Sequence, residues 1–243
     1  MGFFSNLFEK KTCAFCGGDI GLFGNRKLED GNMCKECAEK LSPWFDERRH
    51  STVEQIGQQL EYREANKAKV AAFNITRTLG GHTKVHIDED AGVFVVTSAG
   101  SLMTANPDVI ALADVTGVSF DVTESTEEIT QKSEDGTEVS YDPPRYTHNF
   151  DFYITVSVNN PYFNEMGFRL NSSSVEIDDP EPAKAPAGAS RTFGEFMSRA
   201  AASVNAAKAA EVKPEDDPEY RKYYEMGEGI KAALLQGSRA ARG

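Results

Sequence analysis

The chain has 243 residues, 40% of them hydrophobic, and a formal charge of -12, enough apolar material to bury at least one sizeable core in one large or two small domains. No apolar run approaches the roughly 20 residues that a bilayer-spanning helix needs, which excludes a helical membrane protein. The charge is uneven: residues 84 to 182 hold four basic and nineteen acidic side chains, whereas residues 1 to 50 hold eight of each. Phosphate neutralisation by clustered Lys and Arg dominates nucleic-acid binding, so the middle of the chain is a poor surface for it.

In chain order, the first segment is Met1 to Lys11, with Phe3, Phe4, Leu7 and Phe8 on one face if helical. Two readings stand: an interfacial helix flanked by lysines, giving at most a weak membrane contact, or apolar side chains packed on the small module that follows. The segment is too short and too interrupted for a secretory signal, which predicts a reducing, cytoplasmic setting.

All four cysteines come next: Cys13-Ala-Phe-Cys16, seventeen residues that begin with Gly17-Gly18, then Cys34-Lys-Glu-Cys37. Two Cys-x2-Cys pairs at this separation are the spacing at which a folded hairpin sets four thiolates around one zinc ion. Gly17 and Gly18 suit a tight knuckle after the first pair. Gly24-Asn25 and Asp30-Gly31 are turn signals around a short hairpin, Arg26 to Glu29. Cys34 and Cys37 lead into a short helix at Ala38 to Phe45, completing a treble-clef or zinc-ribbon module. Lys10, Lys11, Arg26, Lys27 and Lys35 are candidates to offset the charge of a four-thiolate zinc site. Disulfides or a redox pair are the alternatives, and the reducing setting disfavours them. Four sulfur ligands leave no open position for water, so the expected zinc is structural and Cys13, Cys16, Cys34 and Cys37 are its ligands.

Ser51 and Glu54 fit a capping box that starts a helix running to about Phe73, with Val53, Ile56 and Leu60, then Val70 and Phe73, on its apolar face. From Lys84 the period changes to two. Val85 and Ile87 alternate with Lys84, His86 and Asp88, Val93 to Thr97 is a β-branched run, and Val118, Phe120 and Val122 alternate again. The clearest strand is Phe150, Phe152, Ile154, Val156 and Val158, followed by a turn at Asn159-Asn160-Pro161 and a return through Met166, Phe168 and Leu170. Between them, the acidic stretch 124 to 142 predicts an extended hairpin arm around Asp135-Gly136. It reads as a solvated, edge-protecting hairpin rather than a docking surface or calcium site, since its carboxylates are irregularly spaced.

Residues 178 to 192 form a Pro- and Ala-rich linker. A helix follows with Phe193, Phe196, Met197, Ala200, Val204 and Ala207 on one stripe, suited to close helix contacts within the chain or in an oligomer. A last helix starts at Asp217-Pro218, carries Tyr220, Tyr223, Gly227, Ile230 and Leu234 on one face, and stops at Gly237. The expected class is α+β: residues 1–46 a zinc module, 47–79 a connecting helix, and 80–180 an antiparallel β-sandwich or barrel. Residues 181–213 are the linker and Ala-rich helix, and 214–243 a C-terminal helix covering the β-domain.

Cys13-Ala-Phe-Cys16-Gly-Gly-Asp-Ile-Gly, Lys27-Leu-Glu-Asp-Gly31, Cys34-Lys-Glu-Cys37 and Leu41-Ser-Pro-Trp-Phe45 resemble a bacterial family of uncharacterised proteins. In that family an N-terminal four-cysteine domain of unknown function precedes a β-module of pleckstrin-homology-like type. Gln59 to Asn66, Asn159 to Phe163 and Glu219 to Ile230 continue the resemblance, which implies zinc on the same four cysteines and that β-fold, with no activity to carry over. A second cysteine cluster near the C-terminus, common in relatives, is absent.

No Gly-rich phosphate loop or nucleophile elbow is present, and His50, His82, His86 and His148 are scattered, so the chain reads as non-enzymatic. Its expected function is a protein-protein interaction or scaffold module. The alternative is a nucleic-acid-associated protein using the zinc ribbon, against which the hairpin offers only Arg26, Lys27 and Phe23.

Overall fold

The computed structural model describes residues 11–181 and 212–243. The apolar N-terminal segment, most of the Pro/Ala-rich linker and the Ala-rich helix expected from Phe193 lie outside these residues. Two compact units are formed. Of the described residues, one comprises 11–120, Ile154–Phe168 and Glu228–Gly243; the other comprises Asp121–Tyr153, 169–181 and 212–227.

The first unit begins with two minimal hairpins. β1 (Lys11–Thr12) pairs antiparallel with β2 (Asp19–Ile20), and β3 (Arg26–Lys27) pairs with β4 (Asn32–Met33). Helix α1 (Lys35–Ala38) follows directly. Helix α2 (Val53–Ala72) is next, and its capping box uses Thr52 and Gln55, one residue beyond the expected Ser51 and Glu54. Ser51 is engaged elsewhere: its hydroxyl donates to the Glu47 carbonyl, and its carbonyl accepts from Glu29 N–H.

The buried stripe of α2 is Ile56, Gln59, Arg63, Asn66 and Val70. This alternation of three and four residues keeps one face of a helix inward. Its apolar ends pack on different partners. Ile56 joins Leu28, Met33 and Leu41 in the cysteine module, while Val70 joins Val95 and Val109 of the following sheet.

Between those ends the stripe is polar: Arg63 and Asn66 are hydrogen-bonded, whereas the fully buried Gln59 amide has no hydrogen-bond partner among the described residues. Arg63 Nη1 donates to Asp108 Oδ1 at 2.7 Å, and Ser42 Oγ donates to Asp108 Oδ2 at 2.8 Å. The remaining Arg63 nitrogens donate to the carbonyls of Lys40 and Asn106. Asn66 Nδ2 donates to the Pro107 carbonyl, and Asn66 Oδ1 accepts from Val109 N–H at 3.0 Å. Asn106 takes a left-handed conformation, φ 48°, which Asn tolerates better than most residues. The network therefore joins the residues after α1, the middle of α2 and the loop 106–109. Burial pushes the Asp108 carboxyl upward, against the attraction of Arg63 and the Ser42 hydroxyl.

Strands β5 (Arg77–Gly80), β6 (Lys84–Asp88), β7 (Val93–Thr97) and β8 (Ile110–Ala111) form an antiparallel sheet in sequential order. β6 departs from the expected in-out alternation, because Val85, His86, Ile87 and Asp88 are all buried. Each polar member is matched: His86 Nδ1 meets Thr78 Oγ1 at 2.8 Å, and Asp88 accepts from the N–H groups of Asn74 and Ala91. Burial lowers the His86 pKa, while the backbone donors lower that of Asp88.

In the second sheet, β10 (Glu138–Val158) pairs with β9 (Val115–Lys132), β11 (Glu165–Arg169) and β12 (Val175–Asp178). β9 and β10 make the long arm expected around Asp135-Gly136, with Gly136 at φ 84°. Among the described residues the strands form open antiparallel sheets, not the closed barrel that was one of the two expected forms. In the second unit, His148 lies within 2.6 Å of Glu124 Oε1 and 3.2 Å of Asp179 Oδ1. Burial opposes charge on this imidazole, but the two carboxylates outweigh it and raise its pKa.

The last helix, α3 (Pro218–Arg242), does not stop at Gly237. In the second unit Tyr220 packs edge-on to Phe150 with ring centroids 5.1 Å apart, and Tyr223 stacks on Phe152 at 5.6 Å. In the first unit Ile230 and Leu234 are fully buried, and Ser238 Oγ donates to the Val115 carbonyl. A Cβ at Gly237 would stand 2.9 Å from Leu112 Cδ1. That glycine serves close packing inside the helix rather than ending it.

The buried ion pair generates a prediction. Arg63→Ala should destabilise the protein by about 3–5 kcal/mol, since it strands the Asp108 carboxylate without its partner. The double variant Arg63→Met/Asp108→Asn should recover a large part of that loss in denaturant titrations. Additive losses from the two sites would show that the pair is not coupled.

Candidate metal centre

The four cysteines, separated by up to twenty-four positions in sequence, converge in the first unit. One sulfur from each lies within 4.8 Å of all the others, and Cys16 Sγ stands 3.7 Å from Cys34 Sγ. A tetrahedron with metal–sulfur bonds of about 2.3 Å has edges of about 3.8 Å, so the sulfurs are already near the separation a bound ion imposes. All four are free thiols rather than disulfides. Cys13, Cys34 and Cys37 are buried, whereas Cys16 is exposed at the rim.

The first pair is positioned by a knuckle. Gly17 N–H donates to the Cys13 carbonyl at 3.0 Å and Cys13 N–H to the Gly18 carbonyl at 2.9 Å, folding the chain back after Cys16. The turn puts Gly17 at φ 70°, a conformation that residues with a Cβ rarely adopt. Ala14 N–H then donates to the Asn32 carbonyl at 2.9 Å. This bond ties the knuckle to β4, whose next residue is Cys34.

The second pair sits on α1, which begins earlier than expected and contains Cys37. Cys34 is its N-cap, and its sulfur accepts from Cys37 N–H at 3.4 Å. A spacing of three residues places both sulfurs on one side of the turn. The backbone N–H groups of Cys34, Cys16 and Phe15 are aimed at Cys13. Burial would raise the Cys13 thiol, but these donors overcome it and bring the pKa down to about 6. Cys37 moves the other way, to about 12, through burial and the crowding of the other three sulfurs.

The groups directed at sulfur are backbone N–H donors, and two of the cations singled out from sequence have other partners. Lys35 pairs with Glu39 at 3.6 Å. Arg26 donates to the Phe23 and Asn25 carbonyls. Lys10 lies outside the described residues.

Helix α2 braces the centre from behind. Asp30 Oδ1 accepts from Val53 N–H at 2.7 Å, so the β3–β4 turn caps the helix start together with Thr52. At the same turn a Cβ on Gly31 would lie 2.6 Å from Val53 Cγ2. Sequence reading found Gly31 as a turn residue, but this contact with α2 had no sequence signal.

The histidines do not assemble into a site. His86 and His148 are held by the partners described above, in different units. The first unit also holds an open cleft of about 360 Å³ lined by Tyr62, Lys69, Val93, Val109 and Asn160, among others. Tyr62 and Asn160 are bonded to each other there at 3.0 Å, and the carboxylate of Asp88 is occupied by backbone donors.

Comparison with known families gives one match in this region. The profile described as "Domain of unknown function (DUF4428)" matches residues 12–59. The match takes in all four cysteines, both small hairpins, α1 and the first turns of α2, the same elements that share the apolar cluster from Cys13 to Ile56. It agrees with the N-terminal part of the resemblance read from sequence and stops there. No curated protein and no solved structure matches the chain.

Gly31→Ala should destabilise the module by about 1–3 kcal/mol through overpacking against Val53. Val53→Ala in the same chain should relieve most of that cost in thermal denaturation. If the two changes are simply additive, the 2.6 Å approach is not what requires glycine at this position.

Proposed function

We propose that the chain binds one structural zinc ion through Cys13, Cys16, Cys34 and Cys37 and works as a non-enzymatic protein-interaction scaffold. The observation that carries this reading is the convergence of four sulfurs within 4.8 Å, with backbone N–H groups directed at them. Zinc suits an all-sulfur tetrahedral set, and iron is the principal competitor for the same geometry. Four thiolates fill the coordination sphere. Bound there, the ion supplies folding energy rather than a site for substrate or activated water.

A knuckle that gives the first ligand pair, a hairpin, and a short helix that gives the second pair together support a treble-clef reading of the module. For the remainder we favour a pleckstrin-homology-like domain. Its support is the order of elements: a sequential four-stranded antiparallel sheet, a second antiparallel sheet and a C-terminal helix with Ile230 and Leu234 buried. Unoxidised thiolates belong in a reducing compartment, which favours the cytoplasm. Among the described residues no helix is long and apolar enough to cross a membrane.

Protein purified without added metal should contain about one equivalent of zinc. Cys34→Ser should release it and collapse the amide spectrum of residues 11 to 60, because metal binding and folding share their free energy in such modules. A wild-type module that is folded without metal, or loaded with iron in the cell, would contradict the proposal.

A further inference from the structure

The β2–β3 connection of the cysteine module is the sequence Gly21-Leu22-Phe23-Gly24-Asn25, closed into a tight turn by Gly24 N–H donating to the Gly21 carbonyl at 3.0 Å. Its two apolar side chains face water: Leu22 is 77% exposed and Phe23 91%. Single exposed apolar residues are ordinary on a protein surface. Here two are adjacent at the tip of one turn, and cations stand behind them.

Arg26 Nη1 donates to the Phe23 carbonyl at 3.3 Å, which fixes its guanidinium at the base of the tip. Arg48 Nη1 donates to the Lys27 carbonyl at 2.7 Å, which brings the short helical turn after α1 against β3, the strand that follows the tip. Burial and then the positive charges of Arg26 and Arg49 lower the pKa of Arg48, so Arg48 lies within electrostatic reach of both. Lys27 and Arg49 are exposed. None of Arg26, Lys27, Arg48 and Arg49 meets a carboxylate at ion-pair distance among the described residues. In sequence only Arg26 and Lys27 were seen together; the fold adds Arg48 and Arg49.

We infer that this tip and the cluster behind it form a docking surface for an anionic lipid bilayer. Leu22 and Phe23 enter the acyl boundary, while the four cations lie at the headgroup level and meet phosphate and carboxylate charge. Apolar side chains flanked by Lys and Arg are the combination that holds a peripheral element at a charged membrane surface. Phe23 could stack a base, but the adjacent exposed Leu22 offers no such face and gains only from an acyl environment, so the pair fits a bilayer better than single-stranded nucleic acid. Tip and cluster fall outside residues 84 to 182 of the sequence, the stretch whose acidic side chains disfavour anionic partners. Attraction is therefore local, and at physiological ionic strength it is screened beyond about 8 Å.

The test uses the full-length, zinc-loaded chain and vesicles of phosphatidylcholine with or without phosphatidylserine. Sedimentation should require phosphatidylserine and weaken with added salt. Lys27→Gln/Arg49→Gln removes two exposed charges and should lower the partition coefficient roughly 25-fold. Leu22→Ser/Phe23→Ser should lower it about tenfold or more. Because all four side chains are exposed, both variants should keep the zinc content of the parent, and that measurement separates loss of the surface from loss of the fold. The inference is overturned if the tip variant sediments like the parent, or if phosphatidylcholine alone suffices. It is equally overturned if deleting residues 1–10 abolishes binding while the tip variant retains it. Failure to sediment together with salt-sensitive binding of a labelled oligonucleotide would also sink it, and would assign the cluster to nucleic acid.

Discussion

The N-terminal module depends on four sulfurs being held at one point. Its strands are two residues each and its helix α1 is four, elements too short to be stable by their own hydrogen bonds. The apolar side chains fully buried with them are few, chiefly Leu28, Met33 and Ile56, each contributing roughly 1.5–3 kcal/mol. Binding of a structural zinc ion in such modules is worth about 10–16 kcal/mol, enough to decide whether the hairpins form. The Ala14–Asn32 hydrogen bond and the knuckle at Gly17 then act as the local geometry that lets one ion reach both pairs.

Helix α2 connects the cysteine module to the rest of the first unit. Its buried face begins among the cysteines, crosses the Arg63–Asp108 pair and ends on Val95 and Val109. A buried ion pair is a weak source of net stability, since desolvation offsets much of the attraction. Its geometry is selective, however: Arg63 reaches the Lys40 and Asn106 carbonyls as well as Asp108. Only one register of α2 against the 106–109 loop satisfies those donors together.

The parts legible in sequence were those governed by spacing. Two Cys-x2-Cys pairs identified the residues that converge, and period-two alternation located Phe150 to Val158 and the return through Met166 and Phe168, whose alternate residues are buried as expected. Other features depended on tertiary partners. The α2 cap moved to Thr52 because Ser51 is spent on Glu47 and Glu29; the two overlapping Ser/Thr-x-x-Glu/Gln patterns cannot be ranked without those contacts. The middle of the α2 stripe carried no apolar signal, since Gln59, Arg63 and Asn66 are polar, and nothing local announces Asp108 as a partner. Gly237 reads as a helix stop by propensity, yet Leu112 occupies the space where its side chain would be. The cationic cluster was hidden for the same reason: Arg48 and Arg49 lie more than twenty residues from Arg26.

The central claim is that one ion is enclosed by sulfur alone. X-ray absorption at the zinc edge of the purified, metal-loaded chain tests it most directly. A single shell of four sulfur scatterers at about 2.3 Å is the predicted result. A shell containing nitrogen or oxygen, or a protein whose cysteines are disulfide-bonded and hold no metal, would contradict the account.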